Sequence, residues 1–137
     1  MTPLTTIAAL ALAAFVAGAL VLALGRPLRA WWAPAVLAVA LGALSAAAIA
    51  AEGPVGFWAE HTDSLWGTQV WVDLLLAFGV GWALLVPRAR ALSMRPLPWL
   101  GALLLTGSIG LLAMLARVLY LQEREAPAVA GQPALSA

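Results

Sequence analysis

The sequence predicts an all-α membrane protein: four transmembrane helices packed as an antiparallel four-helix bundle of two helical hairpins. Three observations carry that reading. Of 137 residues, 64% are hydrophobic and 9% charged, where a soluble domain holds roughly 25% charged. The apolar residues gather into four blocks, each long enough to cross a hydrocarbon core about 30 Å thick. The seven Arg residues fall mainly in two of the short connections between blocks, the usual mark of cytoplasmic loops. One transmembrane domain over 1–125 is expected, then a flexible, charge-free tail over 126–137.

The first span covers about 3–25 and carries no charge. No basic residue precedes it, unlike a secretory signal peptide, so it reads as an uncleaved helix. The second covers about 30–51 and opens on Trp31-Trp32; the third covers about 67–86 and stops at Pro87. The fourth covers about 98–121, ahead of Gln122-Glu123-Arg124-Glu125. Arg26 and Arg29 follow the first span, and Arg88, Arg90 and Arg95 follow the third. The connection from Glu52 to Trp66 holds no Arg, and the tail holds only Arg124. Positive residues stay inside, which predicts a multi-pass protein of the bacterial inner membrane with both termini on the non-cytoplasmic side.

Trp31, Trp32 and Trp99 flank the Arg-bearing side, and Trp58, Trp66 and Trp71 the other, as an interfacial aromatic belt. Trp82 fits either belt or bundle core. Small residues four apart, among them Ala14/Gly18, Ala38/Gly42, Ala77/Gly81 and Thr106/Gly110, permit close helix packing. Arg26-Pro27-Leu28 and Arg95-Pro96-Leu97 each introduce the second helix of a hairpin. That likeness fits an internal duplication, or only a loop Arg with Pro at a helix start.

Two charges fall inside spans. Asp73 lies about 9 Å into the third, and Arg117 about 6 Å from the end of the fourth. On antiparallel neighbours both sit near the non-cytoplasmic surface, where an unpaired charge costs about 2.5 kcal/mol or more. An Asp73–Arg117 ion pair is therefore expected, with Gln69 one turn from Asp73. The alternative is that Arg117 snorkels alone while Asp73 takes a proton or a water. The connection before the third span offers a second polar group: Glu52, Glu60, His61 and Asp63. A single His without H-E-x-x-H spacing is a poor metal set, so no metal and no cofactor are expected.

Glu60-His61, Asp73-Leu74-Leu75, Arg90 with Met94 and Trp99, and Leu119-Tyr120-Leu121 before a charged tail form a pattern. Over roughly 57–123 it resembles a domain-of-unknown-function family of small bacterial multi-pass membrane proteins. The resemblance implies a membrane bundle and brings no activity.

The absence of Cys rules out disulfides and thiolate chemistry. No phosphate-binding loop or basic run points to nucleotides or nucleic acid. A non-catalytic accessory or structural subunit, or a binder of a lipophilic ligand, follows best. Its partners would be the bilayer and a larger membrane complex. The alternative is a membrane-embedded enzyme acting on an isoprenoid or lipid, with Asp73 or Glu60/His61 as acid–base groups. A proton or ion carrier fits least, because the first two spans offer only Thr5, Thr6 and Ser45 as polar groups.

Overall fold

The structure, a computed structural model, describes residues 2–25 and 30–130. The described residues form six helices: α1 (Pro3–Ala23), α2 (Trp32–Glu52), α3 (Gly56–Thr62), α4 (Leu65–Ala91), α5 (Pro96–Thr106) and α6 (Ser108–Ala130). Three of them, α1, α2 and α4, are long and apolar enough to cross a membrane. The Arg26–Arg29 connection, and with it the first half of the proposed Arg-Pro-Leu repeat, lies outside the described residues. So does 131–137 of the expected tail; α6 runs to Ala130.

Local chemistry explains the helix ends. Thr2 caps α1, its hydroxyl accepting from the Thr5 N–H at 3.3 Å, with Pro3 in the first turn. Gly53, at φ +86°, ends α2. Ser64 caps α4, accepting from the Gly67 N–H at 2.9 Å. Gly67 also lets α3 lie against the start of α4, because a Cβ there would collide with the Glu60 carbonyl oxygen.

Pro87 does not stop the third span. α4 continues to Ala91 with Pro87 inside it. Proline removes only one helical N–H donor, and here its ring is exposed and only one turn of helix follows. The actual stop is Ser93, at φ +57°. Its N–H donates to the Arg90 carbonyl at 3.0 Å, and the Met94 N–H to the Ala89 carbonyl at 2.9 Å. These two bonds make a Schellman cap with serine where glycine is usual. A left-handed L-residue costs about 1–2 kcal/mol, partly offset by the greater unfolded freedom of glycine. Ser93→Gly should therefore stabilise the protein by roughly 0.5–1 kcal/mol, read as a higher melting temperature in detergent. A lower one would mean the serine side chain contributes more than its backbone strain.

The span expected over 98–121 is instead two helices. Gly107 separates them at φ 58°, ψ −127°, a conformation open only to glycine. The chain reverses there. Gly110 of α6 comes so close to α5 that a Cβ would lie 2.6 Å from the Ala102 carbonyl carbon and 2.6 Å from the Leu103 nitrogen. The Thr106 hydroxyl closes the last turn of α5 by donating to the Ala102 carbonyl at 2.7 Å.

Contacts with α4 fix the direction of the return. Gly107 faces the Phe78 ring and Gly81 faces Leu111. Leu85 and Ala89 share one buried core with Met114 and Val118. Residue numbers rise together along both helices, so α6 runs parallel to α4 and back toward the end that carries Arg88, Arg90 and Arg95. An 11-residue α5 reaches only about 16 Å, near half of a hydrocarbon core.

The main core therefore sits at the Arg-bearing end. Trp82, Val86, Leu92, Met94, Trp99, Leu111 and Leu115 pack around Leu85, Ala89, Met114 and Val118. Trp82 is thus core, and Trp99, expected in the aromatic belt, is half-buried against the same cluster. α2 joins through α6. Its less exposed positions, 33–35, 38, 41, 42 and 45, recur at helical spacing, and none occurs beyond Ser45. α1 takes no part: every residue from Thr2 to Gly25 is exposed.

Candidate functional site

The polar residues divide between two ends. At one end lie Glu52, α3 and the first turns of α4. The His61 Nδ1–H donates to the Phe57 carbonyl at 2.6 Å, since a carbonyl can only accept. The His61 ring packs edge-on to Trp71 with centroids 5.3 Å apart. Phe57 and Trp58 pack on the same indole at 6.0 and 6.3 Å. This aromatic knot fixes α3 on α4, and it orients His61 toward the backbone. Among the described residues no three of Glu52, Glu60, His61, Asp63 and the other acidic groups come together around one ion position. Trp66 is 80% exposed, as a side chain in contact with headgroups would be.

Asp73 and Arg117 are not brought together. Asp73 lies about 24 Å along α4 from Ala89 at 1.5 Å per residue, whereas Arg117 precedes Val118, which shares the core with Ala89. The expected pair depends on a continuous fourth span. The reversal at Gly107 carries Arg117 to the opposite end of α4. Asp73 and Gln69, one turn apart, are both exposed on α4.

The other end carries a cluster of two arginines and two aromatic rings. Arg117 and Arg124 stand three residues before and four after Tyr120, spacings that share one helix face. Their guanidinium carbons lie 5.6 and 5.5 Å from the Tyr120 ring centroid, within cation–π range. Trp31, just before α2, meets the same ring edge-on at 5.6 Å. Trp31, Tyr120, Glu123 and Arg124 line an open cleft of about 550 Å³. A second, apolar furrow of about 240 Å³ runs between α4 and α6, lined by Gly81, Leu84, Leu85, Leu111, Leu112 and Leu115 with Arg88.

Sequence reasoning places Trp31 at an interface but assigns Tyr120 no role. The available signal is Arg-x-x-Tyr-x-x-x-Arg, which reads as one face once the helix is continued past 121, where the expected span ends. Chemically the cleft offers a guanidinium, a carboxylate and two aromatic rings, a set suited to binding a ligand that carries both charges.

Comparison with protein families, with curated proteins and with solved structures finds no match to this chain.

Proposed function

We propose that this chain is a non-catalytic accessory subunit of a larger assembly in the bacterial inner membrane, and that α1 is its docking helix. The observation that carries the reading is α1 itself: 21 residues without a charge and with none buried. Apolar surface alone does not drive helices together in lipid; close backbone approach at small residues does. In this chain Gly81 and Gly110 are already filled by neighbours, while Gly18 has open space around it. Ala11, Ala14 and Gly18 share one face of α1 at helical spacing, leaving a small-residue seam for another helix. In this reading the Arg-bearing end is cytoplasmic and the N-terminal end of α1 is not.

Affinity capture in mild detergent tests it. The wild type should bring down a membrane protein in stoichiometric amount, and Gly18→Leu should reduce that recovery about tenfold. Leu12→Phe, on another face, should not. A Cβ at Gly18 has nothing within 4 Å and all of α1 is exposed, so Gly18→Leu should keep its helix content and melt no lower than the wild type. Wild type and Gly18→Leu that both emerge as monomers with lipid alone would overturn the accessory role.

A further inference from the structure

The cleft at the Arg-bearing end has features that docking through α1 does not use. We infer that Trp31, Tyr120, Glu123 and Arg124 form a binding site for the headgroup of a phospholipid that carries both a phosphate and a primary ammonium. The inference rests on the membrane placement of this end and is independent of any partner on α1.

Four observations converge. The cleft, about 550 Å³, is open, and among the described residues it is lined by the Arg124 guanidinium, the Glu123 carboxylate and the Trp31 and Tyr120 rings. Its position is one that headgroups reach. Trp31 stands one residue ahead of α2, a membrane-length helix, and Tyr120 lies one helical turn before the exposed Glu123 and Arg124. Indole and phenol favour that half-apolar level. The guanidinium of Arg124 is positioned by Tyr120, 5.5 Å from its centroid. Stacking limits the wandering of a long side chain while leaving its N–H edge available to a phosphate. Arg117, 5.6 Å from the same ring, adds positive potential beside the cleft.

Glu123 selects among phospholipids. A glycerol headgroup can offer the Glu123 carboxylate only neutral hydroxyl donors, whereas a primary ammonium offers three N–H donors and a positive charge, so its bond to Glu123 is charge-assisted. A trimethylammonium has no donor to give. Two rings meeting edge-on, at 78°, do not enclose such a group as an aromatic cage does. The order of preference should therefore be ethanolamine over choline and over glycerol headgroups.

Native mass spectrometry of the full chain in detergent measures this. The chain is titrated with dioleoyl phosphatidylethanolamine, phosphatidylcholine and phosphatidylglycerol, and separately with free phosphoethanolamine. The ethanolamine lipid should be retained about tenfold more tightly than either other lipid, and free phosphoethanolamine should compete only at far higher concentration. Glu123→Gln should erase the preference over the glycerol lipid. Arg124→Gln should weaken all three lipids together, by about tenfold. Both side chains are exposed, so circular dichroism should show unchanged helix content. Equal binding of the three lipids, tighter binding of the glycerol lipid, or an unaltered preference in Glu123→Gln would each overturn the site. Free phosphoethanolamine binding as tightly as the lipid would overturn its assignment to the membrane.

Discussion

Gly110→Ala is expected to open the α5–α6 hairpin, with a loss on the order of 3 kcal/mol or more. The added methyl would lie 2.6 Å from the Ala102 carbonyl carbon and 2.7 Å from its oxygen. Those are backbone atoms of a hydrogen-bonded helix, so no rotamer change relieves the clash. The two helices must separate, and the contacts beyond the clash separate with them. Met114 and Val118 lie one and two turns further along α6, fully buried against Leu85 and Ala89. Overpacking that forces backbone movement lies at the costly end of core substitutions.

Two control positions make the expectation specific. Gly101 in α5 and Gly79 in α4 have nothing within 4 Å of the place a methyl would take. In a helix interior alanine is favoured over glycine by about 1 kcal/mol, so Gly101→Ala and Gly79→Ala should be neutral or stabilising. Gly107→Ala should be harmful for a different reason. Its φ of 58° with ψ −127° lies outside the basins of L-residues, and the Phe78 ring stands 3.3 Å from the added carbon. Melting in detergent, followed by tryptophan fluorescence since Trp82 and Trp99 line the core, ranks the four variants. Gly110→Ala melting together with Gly101→Ala would refute the hairpin.

The contrast among these glycines shows where the sequence is and is not legible. α1, α2 and α4 follow from uninterrupted apolar length, a property that each residue reports independently. The fourth block has the same length and composition, and it differs only in one torsion pair at Gly107. Gly101, Gly107 and Gly110 are alike in sequence, although one is open, one is a reversal and one is a contact. What separates them is the neighbour each meets, which no local pattern encodes. A trace does exist. Thr106-Gly107-Ser108 places three small residues, two of them hydroxylated, in the middle of an apolar run, and Arg117 follows within three turns. A charge inside a span can be paired or can be moved to a surface. Pairing with Asp73 keeps the span continuous; reversing the chain removes the buried charge instead. The same reversal brings Tyr120 beside Trp31, so the aromatic–arginine site cannot be read while α6 is taken as part of a span. The polar end is more legible. Trp58, Trp71 and His61 stand out in the sequence as one aromatic and polar stretch and do pack together, although the hydrogen bond from His61 to the Phe57 carbonyl depends on α3 forming a separate helix.

The second large expected effect is all-or-none. A reporter fused after α6 should behave as cytoplasmic, so that green fluorescent protein is fluorescent there and alkaline phosphatase inactive. Phosphatase inserted between Gly53 and Ser64 should be active. The reasoning joins the positive-inside rule to the path of the chain. Arg88, Arg90 and Arg95 lie at and just beyond the end of α4, and short cytoplasmic loops hold such residues. A continuous fourth span would return the chain to the far side, leaving Arg117 within the bilayer and Arg124 outside. With α6 parallel to α4, Arg117 and Arg124 join the same end, and Glu123 and Glu125 lie there with them. Trp31, at the start of α2, touches Tyr120 at that end. Arg88, Arg90, Arg95, Arg117 and Arg124 would then all be cytoplasmic, with no charge cost left in the fourth apolar block. An active phosphatase after α6, with green fluorescent protein dark at the same position, would require that block to cross the membrane and would overturn the reversal at Gly107.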